Sequence, residues 1–336
     1  MNTKALLTRL NIDPYVATIV GMVGLASLMP AHGVGAVVGG HATNAAIAVL
    51  FFLHGAKLEP RAALAGVRHW RLHVVVLLST FVLFPVLGLT ARALAPELLT
   101  PPLWAGLLLL CVLPSTVQSS IAFTSIARGN VPAALRAATA SNLLGMALTP
   151  LLAGLLLHTE GGFSIGAVGD IATKLLLPFL AGQLARRWIG EWAARNRRLL
   201  GLVDRGSVLL VVYMAFSNGV TQGIWHQLDA ASLGTLLLVD AALLGAVLGL
   251  TTAASRALGF SRKDEIVAVF CGSKKSLASG LPMATVLLAG QSAGLIVLPL
   301  MLFHRIQLMA CAAMARRYAA RVEAGNAELS GTALPV

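Results

Sequence analysis

Two adjacent lysines, Lys274 and Lys275, stand in FCGSKKSLASGLP, residues 270–282, flanked by Ser273 and Ser276 and otherwise by apolar or small residues. A carboxylate in equally apolar company, Asp240, occupies LLLVDAALLGAV. Lysine and aspartate in such surroundings form ion pairs, and such pairs serve as proton or ion relays. A second polar stretch, LPSTVQSSIAFTS at residues 113–125, supplies Ser115, Thr116, Gln118, Ser119 and Ser120. Proline, serine and glycine at such positions loosen the helical hydrogen-bond ladder. Carbonyls set free attract cations, and half-helix N-termini attract anions. The chemistry indicated is ion and solute binding rather than bond making. Serine–histidine and paired-aspartate constellations, HExxH, CxxC, GxxxxGK[ST] and a glycine fingerprint between strand and helix are all missing, so neither an enzyme, a metal centre nor an ATP-driven pump is expected.

The elements that must position these groups follow from composition. Of 336 residues, 57% are hydrophobic and 11% charged, and the mean hydropathy is +0.82. A soluble domain could not hide that much apolar surface. Runs of roughly twenty mainly apolar residues recur, the length that crosses about 30 Å of hydrocarbon as a helix. Ten spans are predicted at 15–29, 42–57, 73–94, 103–126, 131–157, 168–186, 206–224, 231–255, 264–289 and 292–315. The opening segment resembles a signal peptide, but Asp13 and Pro14 interrupt it, and it is read as the first span. Cys111, Cys271 and Cys311 fall within spans and read as small hydrophobes.

Basic residues test this topology, because lysine and arginine near span ends stay on the cytoplasmic side. One side carries Lys4, Arg9, Lys57, Arg61, Arg68, Arg71, Arg128, six arginines from Arg186 to Arg205, then Arg256, Arg262, Lys263, Arg316, Arg317 and Arg321. The alternate loops 30–41, 158–167, 225–230 and 290–291 carry none, and only Arg92 approaches the opposite side. Ten spans with both termini cytoplasmic satisfy this split, in a cell (inner) membrane. The formal net charge of +12 is therefore read as a topology signal that also meets anionic lipid headgroups, with no nucleic-acid partner expected.

Five spans per half would give two repeats of opposite orientation. FLHGAKL at the end of the second span resembles FSNGVTQ at the end of the seventh, and ARGNV after the fourth resembles LAGQS after the ninth. The two polar stretches then lie in equivalent spans, the fourth and ninth. Interrupted helices in corresponding positions point to a transport site. The lysines lie about ten residues, at 1.5 Å each, from the inner end of their span, near the middle of the membrane. Each charge at that depth costs about 2.5–3.5 kcal/mol, and neighbouring charges repel. Asp240, at similar depth in the eighth span, is the candidate charge partner, though adjacent lysines point about 100° apart and both cannot meet it. Asp170 and Lys174 read as an i,i+4 ion pair, His54 as interface packing, and His304, Arg305 and Gln307 as support for the core, with Gln307 within reach of the crossing.

FFLHGAKL, LPSTVQSSIAFTSIARGNVPAALRAATASNLLGMALTP, FCGSKKSLASGLPMA and LPLMLFHRIQL, in that order, resemble the bile acid:sodium symporter family, and within it the SBF-like branch. The resemblance covers nearly the whole chain. It implies an all-α polytopic protein of ten transmembrane helices in two inverted five-helix repeats, residues 1–157 and 158–318, with a cytoplasmic tail at 319–336. A panel of spans 1, 2, 6 and 7 would accompany a core of spans 3, 4, 5, 8, 9 and 10, with spans 4 and 9 unwound and crossing. Family members move organic anions, commonly with sodium, by alternating access. Carried over by position, the cation sites involve Gln118, Ser119 and Ser120, the groups near Thr139, Ser141 and Asn142 in the fifth span, and the ninth-span crossing.

The chain departs from the sodium-coupled members at that crossing. Those have a glutamate and a glutamine, whereas Cys271 to Ser276 holds no carboxylate and two lysines. Three consequences stay open: an ammonium occupies the space of a coupling cation, a lysine loses its proton during the cycle, or the lysines face an anionic substrate. The expected function is secondary-active transport of a small organic anion, with no cofactor beyond a coupling ion, Na+ or H+. Membrane lipids are the other expected partner. A regulatory protein of lipid or ion homeostasis is the alternative.

Overall fold

The computed structural model describes residues 14–57, 69–157, 172–223, 228–287 and 293–331. It is all-helical over these residues. The elements are α1 (Pro14–Leu28), α2 (Gly33–Lys57), α3 (Trp70–Leu78), a π-helical turn (Ser79–Leu83), α4 (Phe84–Leu94), α5 (Pro101–Val112), α6 (Val117–Ile126) and α7 (Val131–Leu157). A second π turn (Ala172–Leu176) precedes α8 (Leu177–Arg195), α9 (Arg197–Thr221), α10 (Ala230–Ala257), α11 (Arg262–Gly272), α12 (Leu277–Leu287) and α13 (Ala293–Gly331).

Six of the described helices are long and apolar enough to cross a membrane, and seven if the α5–α6 pair, bent by 64°, counts as one. The ten expected spans exceed this count for local reasons. α1 has 15 residues, α8, where the sixth span is expected, carries Arg186, Arg187, Glu191 and Arg195 within 19 residues, and the expected ninth span divides into α11 and α12, of 11 residues each. α13 continues through Gly331, so the expected tail is helical well beyond residue 319. Its alanines, glutamates and arginine are strong helix formers. Of the expected Asp170–Lys174 pair, Asp170 lies outside the described residues.

The chain folds as two compact units, each drawing on both halves of the sequence. The first comprises residues 1–57, 164–233 and 281–298, the second residues 58–163, 234–280 and 299–336. In the first, α2 packs against α8 at backbone distance. A Cβ at Gly55 would collide with the carbonyl of Phe179, and one at Gly182 with the carbonyl of Phe52. Small residues permit this approach, the usual device for packing helices in lipid. Gln183 donates to the Gly55 carbonyl at 2.8 Å, and His54 Nε2 lies 3.7 Å from Asp204.

The second unit holds both polar stretches. α5 is buried on every side from Leu107 to Val112, as a uniformly apolar helix should be. Leu72 and Val76 of α3, Ala133, Ala134, Ala137 and Ala138 of α7, and Val267, Ala268 and Cys271 of α11 form one core cluster. The alanines give α7 a smooth face against which neighbouring helices close. Cys111, Cys271 and Cys311 are buried free thiols.

Candidate functional site

Two helix interruptions build the site. Pro114 has no N–H, and Leu113 before it takes the extended conformation that a following proline favours, with ψ at 151°. The Leu113 N–H turns back to Leu110 O at 3.2 Å, and α5 stops. The carbonyls from Cys111 to Pro114 then lack helical partners. In the other stretch, α11 ends at Gly272 and α12 begins at Leu277, leaving residues 273–276 unwound.

The two interruptions satisfy one another. Ser276 N–H donates to Pro114 O at 2.9 Å, Thr116 Oγ1 donates to Lys275 O at 2.9 Å, and Thr149 Oγ1 donates to Val112 O at 2.8 Å. Gln307 of α13 clamps one residue from both sides. Its Oε1 accepts from Lys275 N–H at 2.9 Å, and its Nε2 donates to Lys275 O at 3.0 Å. An amide is suited to this because it ends in one acceptor and one donor. The same Nε2 lies 2.8 Å from His304 Nδ1.

Lys275 fills the centre. Its Nζ donates to Cys111 O at 2.7 Å, Thr80 O at 2.8 Å and Leu113 O at 2.9 Å, and lies 4.0 Å from the centroid of the Phe84 ring. Two of these carbonyls are freed by the break at Pro114. The third is freed by the π turn, where Phe84 N–H bonds to Ser79 O. In that register the donor to Thr80 O would be residue 85, a proline. Three acceptors use all three N–H bonds of an ammonium, whereas a neutral amine has two. The geometry therefore suits an ammonium tethered by backbone oxygens.

Lys274 contrasts with its neighbour. It is equally buried, but its Nζ has no hydrogen-bonding oxygen or nitrogen among the described residues and lies 4.1 Å from the Phe123 centroid. The thiols of Cys311 and Cys271 interact with it electrostatically. Asp240 sits on the buried stripe of α10 with Leu236, Leu243, Leu244 and Val247. Both its oxygens lack hydrogen-bond partners, and it forms no ion pair with either lysine among the described residues.

A hydroxyl chain adjoins the crossing. Ser115 N–H donates to Ser141 Oγ at 3.1 Å, Ser115 Oγ and Ser120 Oγ lie 3.4 Å apart, and Ser120 Oγ donates to Phe270 O at 3.3 Å. Ser273 Oγ donates back to Val269 O of α11 at 2.6 Å, and Ser276 Oγ donates to Ser279 Oγ at 3.1 Å. Ser119 Oγ and Asn142 Oδ1 are buried atoms without hydrogen-bond partners among the described residues. Gln118, exposed, and Thr139, half-buried, join none of these bonds. Sequence reasoning missed Thr80, the Cys111 and Leu113 carbonyls, and the two rings. The signals that could have found them were Pro85 and Pro114, which orphan those carbonyls.

Comparison with known proteins adds an independent line. The description "SBF-like CPA transporter family" matches residues 13–320. An uncharacterized protein of Pseudomonas aeruginosa is 53% identical over 320 residues, covering 95% of this chain and 96% of its own. The Escherichia coli protein named "Putative symporter YfeH" is 50% identical, covering 96% and 97%. The sodium/bile acid cotransporter 7 of Rattus norvegicus is 28% identical, covering 90% and 92%.

Proposed function

The chain belongs to the SBF-like CPA transporter family, and we propose that it moves a small organic anion across the cell (inner) membrane by alternating access, coupled to protons. The observation that carries this reading is the Lys275 ammonium seated on three backbone carbonyls at 2.7–2.9 Å. Those oxygens form the kind of cradle that a free cation would use, and the tethered ammonium takes it. That cradle leaves no position for sodium.

Lys274 is the charge left over. With no oxygen or nitrogen acceptor, it is the group to which we assign the solute's negative charge. The anion is held while Lys274 carries its proton, so that a proton crosses with each unit of negative charge. The rat relative is named for sodium and bile acid; we carry over the organic-anion class and not the sodium. The membrane arrangement belongs to the same reading: ten spans in two inverted repeats, both termini cytoplasmic, with a panel and a core. The division into two units and the two helix breaks support it.

The test is uptake of a mixed organic-anion pool into proteoliposomes, with proton and sodium gradients imposed separately. An inward proton gradient should drive accumulation and a sodium gradient should not. Lys274→Met should abolish the proton-driven component. Accumulation driven by sodium alone, or an unaltered Lys274→Met, overturns the coupling assignment; a pool in which no anion moves overturns transport.

A further inference from the structure

A cavity of about 170 Å³ opens between α10 and α13, lined by Thr252, Arg256, Met314, Arg317, Tyr318 and Arg321. It is separate from the helix crossing and plays no part in the transport reading. Three of its six walls are arginine, and the acid beneath them is already occupied. Glu265, only 4% exposed, accepts from Arg262 Nη1 at 3.0 Å, Tyr318 OH at 2.9 Å and Arg256 Nε at 3.3 Å. Arg262 also stacks over the Tyr318 ring at 4.5 Å. Both carboxylate oxygens are thus engaged, and Glu265 fixes the pocket without neutralising it. Arg317 and Arg321, one helical turn apart and exposed, have no acceptor among the described residues.

We propose that this pocket binds the phosphate of an anionic phospholipid headgroup. Guanidinium forks match phosphate oxygens in pairs, and basic pockets between membrane helices favour such headgroups. A cavity of this size holds several waters at about 30 Å³ each, and so a phosphate group. The surroundings favour a lipid over a free anion. Met314 forms an apolar wall, and Met309, nearby on α13, is 70% exposed. On α10, Gly245, Gly249, Thr252 and Arg256 share one helical face, and the space beside both glycines is open. An acyl chain can lie along that face while its phosphate meets the arginines.

The test uses the full chain purified in detergent, with native mass spectrometry and thermal unfolding read against added phosphatidylglycerol, phosphatidylcholine and inorganic phosphate. Phosphatidylglycerol should be retained, and should raise the melting temperature, at concentrations at least about tenfold below those of phosphatidylcholine. Arg317→Gln with Arg321→Gln should remove that preference, while Arg187→Gln with Arg198→Gln should keep it. Arg321→Lys, which retains the charge without the fork, should recover part of it and serves if the double variant fails to fold. A preference that survives both the double variant and Arg321→Lys overturns the proposal. So does inorganic phosphate displacing phosphatidylglycerol, which would make the pocket a free-anion site.

Discussion

At Lys275 the energetics turn on hydrogen bonds rather than on charge alone. Burying an ammonium at mid-membrane costs about 2.5–3.5 kcal/mol. Three charge-assisted hydrogen bonds at about 1.5–3 kcal/mol each outweigh that cost, and their loss would strand three buried carbonyls. Lys275→Met should therefore destabilise the protein by about 3 kcal/mol or more, read as a lower midpoint in thermal or denaturant unfolding. Lys275→Arg should not rescue it, because a planar fork cannot direct three N–H bonds from one nitrogen. Gln307→Leu should cost less, since it frees only the Lys275 N–H, the Lys275 carbonyl keeping the Thr116 hydroxyl. Lys274→Met should leave stability unchanged or higher, because that ammonium has no oxygen or nitrogen acceptor to lose among the described residues. The lysines stood out in the sequence as charges in an apolar run. Their inequality did not, because Lys275 is held by main-chain oxygens that no residue letter announces. Asp240 was the natural partner by residue type; the structure leaves it on the apolar stripe of α10, with no hydrogen-bond or ion-pair partner among the described residues.

Among the elements, proline placement organises the site and glycine placement the packing. Pro114 ends α5, Pro85 deprives Thr80 O of its π-register donor, and the freed carbonyls converge on one nitrogen. In the first unit, Gly55 and Gly182 let α2 and α8 meet at their backbones. Replacing either by alanine adds a methyl where a carbonyl already stands. The gain in helix propensity, about 1 kcal/mol, should be overtaken by overpacking of about 1–3 kcal/mol, more when both are changed. Thermal melts of Gly55→Ala, Gly182→Ala and the double variant in detergent check this, and a rise in melting temperature for either single variant would show that the helices can part. The break at Pro114 was readable beforehand because proline acts locally, on its own N–H and on the residue before it; the break at residues 273–276 showed only as a polar, glycine- and serine-containing stretch in an apolar span. The π turn was not, because it is a change of register within an ordinary run, STFVLFP.

For the whole molecule, the arginine distribution carries the topology. If both termini are cytoplasmic, Lys263 and Glu97 lie on opposite sides of the membrane. The native thiols are buried, so a cysteine added at either exposed position should report alone. A membrane-impermeant maleimide should label Glu97→Cys in intact cells and Lys263→Cys only after permeabilisation; the reverse order would invert the topology.

The sequence alone determined that this is a polytopic helical membrane protein, where its helices break, and which family it resembles. Each depends on composition, on local chain chemistry or on ordered motifs. Tertiary structure decided which carbonyls receive Lys275, across separations of 162, 164 and 195 residues, and that Glu265 gathers Arg256, Arg262 and Tyr318 under an open arginine pocket. Such contacts depend on how distant helices pack, and hydrophobic patterning sets which faces are buried without setting which atoms meet.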